Sequence, residues 1–342
     1  MAELSRRRVL TGAAGAIAAH AAGVPALASA SSDTTAQPVS SLRIPSGLRL
    51  RGVNHVGNFD QAAGASIWAE LWRLWDWDGW IRPQLDDIAK VGNAVRFWGN
   101  TLVVADGSVS LSLYITRWRQ VLEYANLQGL SVYPCGGDLR HWGATSWDLA
   151  TDIYAELAKL LSSQPNVIGV DVTNEASSAL AAPPSANSYR QDESPIQLLE
   201  TLGSILRSSG LAITHSRSIR DVAGWTNEYV TDDLGDFLDF HVYYVPGASD
   251  SMAVQQQTWG KGKSLIVGEF GVDLSDSPEM RIAYYEAVLA MCFYDTNCIG
   301  AFAWSAWDLD TRGTSAWGLF DGRRTMRSDI GNVFLKFPIE RS

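Results

Sequence analysis

Residues 167–175 read VIGVDVTNE, and residues 265–271 read LIVGEFG. Each stretch is a nearly continuous aliphatic run that ends on polar residues, which is typical of a strand buried on both faces in a parallel sheet. A carboxylate placed where such a strand leaves the core is costly unless it has partners or a task. Glu175 and Glu269 occupy these two positions, and we interpret them as the first candidates for a functional site.

Strand-like runs alternate with helical runs along the chain, which indicates an α/β fold with a parallel sheet. We predict strands at residues 48–54, 94–98, 131–135, 167–174, 211–215, 237–243, 264–268 and 299–304. We predict helices at residues 84–91, 111–128, 147–161, 196–208 and 278–292. About eight strand–helix units close a (β/α)8 TIM barrel. A doubly wound open sheet is the alternative, but the first strand lacks the Gly-rich phosphate turn of that fold.

The first residues of the chain have the pattern of an export signal. Residues 5–10 (SRRRVL) form a twin-arginine pattern, a small-residue apolar stretch follows at 11–26, and residues 28–30 (ASA) offer a cleavage site. We expect residues 1–30 to be a signal peptide of the twin-arginine type and the protein to be secreted. A transmembrane anchor is the alternative, but the apolar stretch is short and Ala/Gly-rich.

The rest of the chain suits a short lead-in followed by one large domain. Residues 31–46 are rich in Ser and Thr without periodicity, and we expect a disordered linker there. Residues 47–342 have the length of a single (β/α)8 barrel. The net charge of −10 argues against nucleic-acid binding, because a phosphate-binding surface needs clustered Lys and Arg.

The chain contains 14 tryptophans and three cysteines. Most of the tryptophans are expected in the core, but several fall near predicted strand ends, where their ring planes could stack on the apolar faces of sugar rings. Cys292 and Cys298 are close in sequence and could pair after export. Cys135 ends a strand and is interpreted as a small buried residue.

Polar or aromatic residues stand at the end of nearly every predicted strand. A single polar strand end is usually a cap or a loop hydrogen bond, but the carboxyl ends of the strands in a parallel barrel meet at one face, where active sites form. A shared cleft therefore explains the set better. Its members are Asn54, His55, Arg96, Trp98, Asn174, Glu175, His241, Tyr243, Glu269 and Trp304, with His141 just beyond strand three.

The order of these residues resembles glycoside hydrolase family 5, the cellulase-like family of the large retaining (β/α)8-barrel clan. That family has Arg on strand two, Asn-Glu on strand four, His-x-Tyr on strand six, Glu on strand seven and Trp on strand eight. Each match alone is weak, whereas their order on successive strands, over most of the mature chain, makes the combined match specific. The matching residues are Arg96, Asn174, Glu175, His241, Tyr243, Glu269 and Trp304.

The resemblance implies a retaining double displacement, with Glu175 as the acid/base and Glu269 as the nucleophile. This assignment requires the carboxylate of Glu269 to stay ionised, and Arg96 and Tyr243 are the candidates for the cation and the hydroxyl donor that would secure this. Asn174 would then hydrogen-bond the 2-hydroxyl of the reacting sugar, an interaction that strengthens in the transition state.

The remaining candidates are residues expected to contact the sugar. His241 would hydrogen-bond within the cleft near the acid/base, and Trp304 would form a hydrophobic floor. Many relatives carry a histidine close behind an acidic residue after strand three, and here the order Asp138 to His141 departs from that spacing. Further candidates for substrate binding are His55, His141, Trp98, Trp225 and Trp307.

Two other carboxylates need an interpretation. Asn227 and Glu228 form a second Asn-Glu pair, but it follows no apolar strand, and we interpret it as a solvated loop. Asp171 lies on the same strand face as Glu175 because successive strand residues alternate between faces. It either points into the barrel near the acid or pairs with Arg96, and no catalytic role is assigned to it.

The pattern is shared by enzymes that act on β-glucans, β-mannans and related chains. We expect an endo-β-1,4-glucanase or β-mannanase that degrades polysaccharide, with an exo-acting β-glycosidase or a non-catalytic carbohydrate-binding barrel as alternatives. A metal-dependent hydrolase is disfavoured, because the five histidines are scattered without a ligand spacing. We therefore expect a carbohydrate substrate, no cofactor or metal, no membrane partner for the mature chain, and a monomer.

Overall fold

Short parallel strands form one sheet that curves into a nearly closed barrel. The strands are β1 (Leu50–Asn54), β2 (Ala94–Trp98), β3 (Ser131–Cys135), β4 (Val170–Asp171), β5 (Ile213–Thr214), β6 (Arg217–Ser218), β7 (Leu238–Tyr243), β8 (Leu265–Gly271) and β9 (Cys298–Ala303). Their order in the sheet is β5-β4-β3-β2-β1-β9-β8-β7-β6. β5 and β6 are consecutive halves of one barrel strand, since the first pairs with β4 and the second with β7. The barrel thus has eight strand positions, and the predicted (β/α)8 TIM barrel is confirmed.

Helices connect successive strands and cover the outside of the barrel. The computed structural model describes residues 41–58, 67–137, 147–176, 195–218, 234–243, 263–294, 297–310 and 316–339. Within these ranges the helices are α1 (Ile67–Leu74), α2 (Arg82–Val91), α3 (Leu102–Ala105), α4 (Leu111–Leu127), α5 (Trp147–Ser162), α6 (Pro195–Ser208), α7 (Pro278–Tyr294) and α8 (Ser328–Lys336), and a π-helical turn spans Trp77–Ile81.

Three of the predicted strands differ from those in the structure by more than two residues at an end. The strand expected at 167–174 is regular only in β4, because the chain bends after it and turns into a positive φ at Glu175. The strand expected at 264–268 continues to Gly271. The strand expected near 211–215 is the divided strand formed by β5 and β6.

The barrel wall separates two apolar layers. Residues that face outward pack against the helices in the larger core, as Val95 and Val267 do. Residues that face inward fill the amino-terminal part of the barrel, where Leu42 and Ile44 pack against them. This inner layer consists of Leu50, Ala94, Tyr133, Ile168, Ala212, Phe237, Ile266, Ile299 and Phe302.

The last part of the expected linker at 31–46 is ordered against the barrel. The backbone N–H of Arg43 donates to the carbonyl oxygen of Ile168 at 2.9 Å, and its guanidinium donates to the carbonyl oxygen of Ser162 at 3.0 Å. Residues 1–40 lie outside the described residues, so the signal peptide and secretion remain predictions. Among the residues that are described, no helix combines the length and apolar character needed to cross a membrane.

The three cysteines are buried, as expected for Cys135. The structure has no disulfide between Cys292 and Cys298, so the pairing considered from their spacing is not formed. Arg49 joins this region instead: its Nη1 donates to the carbonyl oxygen of Cys292 and, at 3.1 Å, to that of Cys298.

Candidate active site

The guanidinium of Arg96 lies at the centre of a buried polar network at the carboxyl end of the barrel. Its Nη1 is 2.6 Å from Oε1 of Glu269, and its Nη2 is 2.6 Å from Oδ2 of Asp171. Nη2 also donates to Oδ1 of Asn174 at 2.9 Å, and Nη1 donates to Oδ1 of Asn54 at 3.2 Å. One side chain of β2 therefore ties together residues from β1, from β4 and the turn after it, and from β8.

Glu269 is held through both carboxylate oxygens. Its Oε1 pairs with Arg96, and its Oε2 accepts a hydrogen bond from the hydroxyl of Tyr243 at 2.5 Å. The register of β7 and β8 places His241 directly opposite Glu269, and Nδ1 of His241 lies 3.4 Å from Oε2 of Glu269. The Glu269 side chain is only 4% exposed, so its carboxylate lies at the bottom of the site.

Glu175 approaches the same space from the turn after β4. Its backbone φ of +45° is in the left-handed region that residues other than glycine seldom adopt. The backbone N–H of Glu175 donates to Oγ of Ser216 at 2.9 Å, and the N–H of Ser216 donates to Oδ1 of Asp171 at 3.0 Å. Ser216 thus connects the Glu175 turn to the Arg96–Asp171 ion pair. The Glu175 side chain is 20% exposed, which places it closer to solvent than Glu269.

The two glutamates share one histidine. Nδ1 of His241 lies 3.2 Å from Oε1 of Glu175 and 3.4 Å from Oε2 of Glu269. One carboxylate oxygen of each glutamate and one ring nitrogen of His241 all lie within 4.8 Å of one another. The carboxyl groups of retaining glycosidases are about 5–5.5 Å apart, whereas those of inverting enzymes are about 6.5–9.5 Å apart to admit a water. The approach of one oxygen from each carboxyl group to within 4.8 Å is compatible with the closer of these two arrangements.

Burial and the neighbouring charged groups shift the pKa values of Glu269 and His241 in opposite directions. Burial raises the pKa of Glu269, and the interactions with His241, Arg96 and Tyr243 reduce this rise without cancelling it. Burial lowers the pKa of His241, but the neighbouring carboxylates, Glu269 first, outweigh burial and leave that pKa above its ordinary value. The ionisation of Glu269 therefore depends on its three partners rather than on contact with water.

Asn174 is oriented by the same network. Its side-chain oxygen accepts from Arg96, and its backbone N–H donates to the carbonyl oxygen of Gly137 at 2.6 Å. Because the amide oxygen is engaged, the amide nitrogen of Asn174 is the group available to donate to a sugar hydroxyl.

An apolar surface adjoins the polar network. The rings of Trp98 and Trp304 have centroids 6.1 Å apart, and the guanidinium carbon of Arg96 lies 5.4 Å from the centroid of Trp98. The peptide bond that follows Trp304 is cis. The aromatic cluster contains these two tryptophans, Val56 and Leu309, with Tyr243, Trp307 and Trp317 packed against them.

Trp307 is fixed on the rim of this aromatic cluster. Its ring nitrogen donates to Oδ2 of Asp87 at 2.9 Å, and its ring meets Trp80 edge-to-face at 5.0 Å between centroids. The guanidinium of Arg324 lies over the ring at 5.5 Å. Trp98, Trp304 and Trp307, all predicted to contact sugar, are therefore brought together.

The structure places His55 in the core beside Phe97, outside the hydrogen-bond network of the Arg96 side chain. Its side chain is fully buried, and its ring lies 4.5 Å from that of Phe97. Burial lowers the pKa of His55 to about 3, so the ring is neutral. His141 and Trp225 lie outside the described residues, and their roles stay predictions.

Three residues of the site were not among the sequence candidates: Ser216, Asp239 and Trp317. Asn54 was placed in the cleft without a specific role. Asp239 precedes His241 by two positions and so shares its strand face, a pattern that could have identified it. Trp317 meets the ring of Tyr243 edge-to-face at 5.6 Å between centroids. Ser216 lies in the divided strand, where the sequence pattern is weak.

Two groups of side chains bring three possible metal ligands together among the described residues. They are Asp171 with Asp239 and His241, and Glu175 with His241 and Glu269. The guanidinium of Arg96 already pairs with a carboxylate from each group. Its fixed positive charge balances part of the negative charge of these carboxylates.

No protein-family model and no curated protein matches the sequence. A GH5_18 protein from Bifidobacterium longum subsp. infantis has a similar structure, with a TM-score of 0.66 at 17% identity over 85% of this chain and 78% of its own. A variant of a GH5_18 protein from Streptomyces cattleya, in complex with Manβ1-4GlcNAc, gives a TM-score of 0.64 at 15% identity over 83% of this chain and 79% of its own.

An exo-β-1,4-mannosidase from Opitutaceae bacterium strain TAV5 gives a TM-score of 0.62 at 16% identity over 88% of this chain and 61% of its own. At such identities a likeness establishes the fold. This chain has the (β/α)8 barrel fold of the GH5_18 and exo-β-1,4-mannosidase structures that it resembles.

Proposed function

We propose that this chain is a retaining glycoside hydrolase of the family 5 type that cleaves β-linked sugars. The observation that carries the proposal is the pair of carboxylates, Glu175 and Glu269, whose oxygens approach within 4.8 Å at the carboxyl end of the barrel. That face holds the active sites of TIM-barrel enzymes, and two carboxyl groups this close support a retaining mechanism over one that admits a water between them.

In the first step, Oε of Glu269 attacks the anomeric carbon as the bond to the leaving oxygen breaks. Glu175, protonated, gives its proton to that oxygen, and a covalent glycosyl–enzyme ester forms. In the second step, Glu175 takes a proton from a water whose oxygen attacks the same carbon and releases Glu269 as a carboxylate. Two inversions leave the anomeric configuration unchanged.

The contacts around Glu269 suit the role of nucleophile. Arg96 and the hydroxyl of Tyr243 each hold one carboxylate oxygen, which stabilises the ionised form against burial. Nδ1 of His241 lies between both carboxylates, and these carboxylates raise the pKa of His241, so the ring is placed to respond as Glu175 loses and regains its proton. Trp304, on the neighbouring aromatic cluster, would lie under the reacting sugar.

We further propose that the substrate is a short β-1,4-linked mannoside or glucoside cleaved from one end. Support comes from the similar exo-β-1,4-mannosidase, from the GH5_18 structure with Manβ1-4GlcNAc, and from a β-glucosidase with a TM-score of 0.58 at 14% identity. The endo-β-1,4-glucanase or β-mannanase expected from the sequence is the other outcome of the test.

The test begins with 4-nitrophenyl β-mannoside and β-glucoside, followed by manno- and cello-oligosaccharides whose products are separated by length. Glu269→Gln and Glu175→Gln should each lose hydrolysis. Azide should restore turnover in Glu269→Gly and give a product of inverted configuration. Full activity in either Gln variant would refute the mechanism. Release of single sugars supports exo action, whereas a ladder of intermediate lengths from polymeric mannan or glucan would establish endo action.

We also propose that the chain is exported by the twin-arginine route, on the strength of the SRRRVL motif and the small-residue stretch after it. Amino-terminal sequencing of protein from the culture medium should begin at or near Ser31. Replacement of Arg6 and Arg7 by Lys should retain the protein in the cell, and secretion of this variant at the normal level would refute the route.

A further inference from the structure

Strand β8 does not keep the alternation of a regular strand. Ile266 faces the inner layer and Val267 faces the helices, so a regular strand would send residue 269 outward and residue 270 inward. The structure shows the opposite. Glu269 meets Arg96 inside the barrel, while Phe270 packs against α7 with its ring 5.0 Å from that of Tyr285.

One extra residue in β8 produces this reversal. Along β7, Phe240 is opposite Val267 but the next residue, His241, is opposite Glu269. The register with β9 shifts over the same interval, between Val267 and Phe270. Gly268 is therefore a bulge relative to both neighbours, and a one-residue insertion moves every later side chain to the other face. The bulge is what turns the carboxylate of Glu269 into the barrel.

Two buried side chains hold the backbone of the bulge. The N–H of Gly268 donates to Oδ1 of Asp239 at 2.8 Å, and its carbonyl oxygen accepts from Nδ2 of Asn54 at 2.9 Å. The other oxygen of Asp239 accepts from the hydroxyl of Tyr133 at 2.6 Å, and Oδ1 of Asn54 accepts from Arg96 at 3.2 Å. A bulge removes a backbone N–H and a carbonyl from the hydrogen bonds between strands. Here Asp239 accepts from this N–H and Asn54 donates to this carbonyl, and each of the two side chains has another hydrogen-bond partner.

The space around the bulge is also filled. A Cβ atom at Gly268 would lie 2.3 Å from Oδ1 of Asp239, closer than the two atoms can approach. Glycine is therefore required at this position so that the Asp239 carboxylate can reach the backbone.

We infer that Asp239 and Asn54 are positioning residues for Glu269, which hold the Gly268 bulge in the one register that presents this carboxylate to substrate. The inference rests on the proposed function, in which Glu269 is the nucleophile. Neither residue touches the reacting atoms. Asp239 acts through the backbone of β8, and Asn54 acts through that backbone and through its contact with Arg96.

The experiment measures the nucleophile directly. The 2,4-dinitrophenyl 2-deoxy-2-fluoro-β-glycosides of mannose and glucose carry a good leaving group and a fluorine that slows hydrolysis of the glycosyl–enzyme, so the rate of mass increase reports attack by Glu269. Asp239→Ala and Asn54→Ala should each be labelled about 100-fold more slowly, because an error of about 1 Å in the reacting group costs that much. Asp239→Asn should stay within about tenfold of the unmodified protein, since its amide oxygen still accepts from Gly268.

Tyr284→Phe is the matched control. It removes a different buried hydrogen bond to β7, from the Tyr284 hydroxyl to the carbonyl oxygen of Val242, on the helix side of the strand. Its labelling rate should be unchanged. Equal labelling of Asp239→Ala and the unmodified protein would overturn the inference, and so would equal losses in Asp239→Ala and Asp239→Asn.

A structural readout separates this inference from the proposed function. Failure of the unmodified protein to be labelled or to hydrolyse either glycoside would count against the function alone. Crystal structures of Asp239→Ala and Asn54→Ala should show Glu269 withdrawn from Arg96. A carboxylate that stays paired with Arg96 in both variants would overturn the positioning role, whatever the activity. If Asp239→Ala fails to fold, the structures of Asn54→Ala and Asp239→Asn still decide it.

Discussion

Nη1 of Arg96 and Oε1 of Glu269 lie 2.6 Å apart with both side chains almost fully removed from solvent. The same guanidinium pairs with Asp171 on the opposite side of the barrel. A charge buried in this way is tolerated only when its partners and hydrogen bonds are in place, so the carboxylates and Arg96 depend on one another for stability as well as for the proposed chemistry.

Arg96→Lys should lower both stability and activity. A single ammonium cannot reach Glu269, Asp171 and Asn174 together as the planar guanidinium does. Removing one partner of a buried ion pair costs about 3–5 kcal/mol, and urea unfolding should show a loss of this order together with at least a 100-fold fall in kcat. Lys159→Ala, which breaks the exposed pair with Glu156, is the control and should change neither.

Tyr243→Phe should move the acid limb of the pH–activity profile to higher pH. The hydroxyl of Tyr243 donates to Glu269 and lowers its pKa, so its removal raises the pH below which the nucleophile is protonated and inactive. We expect kcat/KM to fall about tenfold at neutral pH and the limb to shift upward. Tyr154→Phe, which removes a buried hydroxyl donor to the carbonyl oxygen of Val172, should leave the profile in place.

Trp317→Leu should lower kcat with little change in stability. The Trp317 ring supports Tyr243 edge-to-face, and without it the Tyr243 hydroxyl is less constrained toward Glu269. We expect kcat on an aryl glycoside to fall about tenfold. Trp77→Leu removes a partly buried indole that packs on Trp75 away from the cleft. An equal loss of kcat in that variant would show that the effect is not local.

His55→Leu should make the protein less sensitive to acid. The folded-state pKa of about 3 lies below the ordinary histidine pKa of 6.5, so His55 contributes stability at pH above 6.5 that is lost as the pH falls toward 3. The loss is about 1.4 kcal/mol per pH unit below 6.5. Urea unfolding at pH 7 and pH 5 should therefore show about 2 kcal/mol less loss for the variant.

Phe97→Leu, a change to the apolar partner of His55, is the control for packing. Its stability should run parallel to that of the unmodified protein across the same pH range. If His55→Leu also runs parallel, then His55 is not responsible for the acid sensitivity.

The barrel could be predicted from sequence because its strands are apolar on both faces and alternate with helices. Strands β2 and β3 were located to the residue for this reason. The same property concealed the bulge in β8: the stretch LIVGEFG has apolar residues for either face, so no alternation reveals where the register changes. Gly268 is the only local indication, since a glycine within a strand often marks a bulge.

Site residues could be predicted from sequence where a polar side chain follows directly on an apolar strand. They could not be predicted where their position depends on contacts between strands that are distant in sequence. Arg96, Asn174, Tyr243 and Glu269 follow from order and position along the chain. The burial of His55 depends on packing against Phe97, on the next strand, which no local pattern encodes. Ser216 contacts Glu175 and Asp171 because it lies between β5 and β6. Each of these two strands has only two residues, too few to show a strand pattern in the sequence.

That divided strand also separates the two proposed catalytic carboxylates. Glu175 follows β4, and β4 pairs with β5. Glu269 lies in β8, the strand next to β7, and β7 pairs with β6. In the described residues the β4–β5 and β6–β7 ladders are both short. The barrel wall between the two carboxylates is therefore held by few backbone hydrogen bonds. Inside the barrel, Arg96 links the two sides through its ion pairs with Asp171 and Glu269. Local opening of the divided strand would increase the distance between Glu175 and Glu269. Deuterium uptake at residues 213–218 should therefore slow when a bound sugar contacts both sides of the cleft.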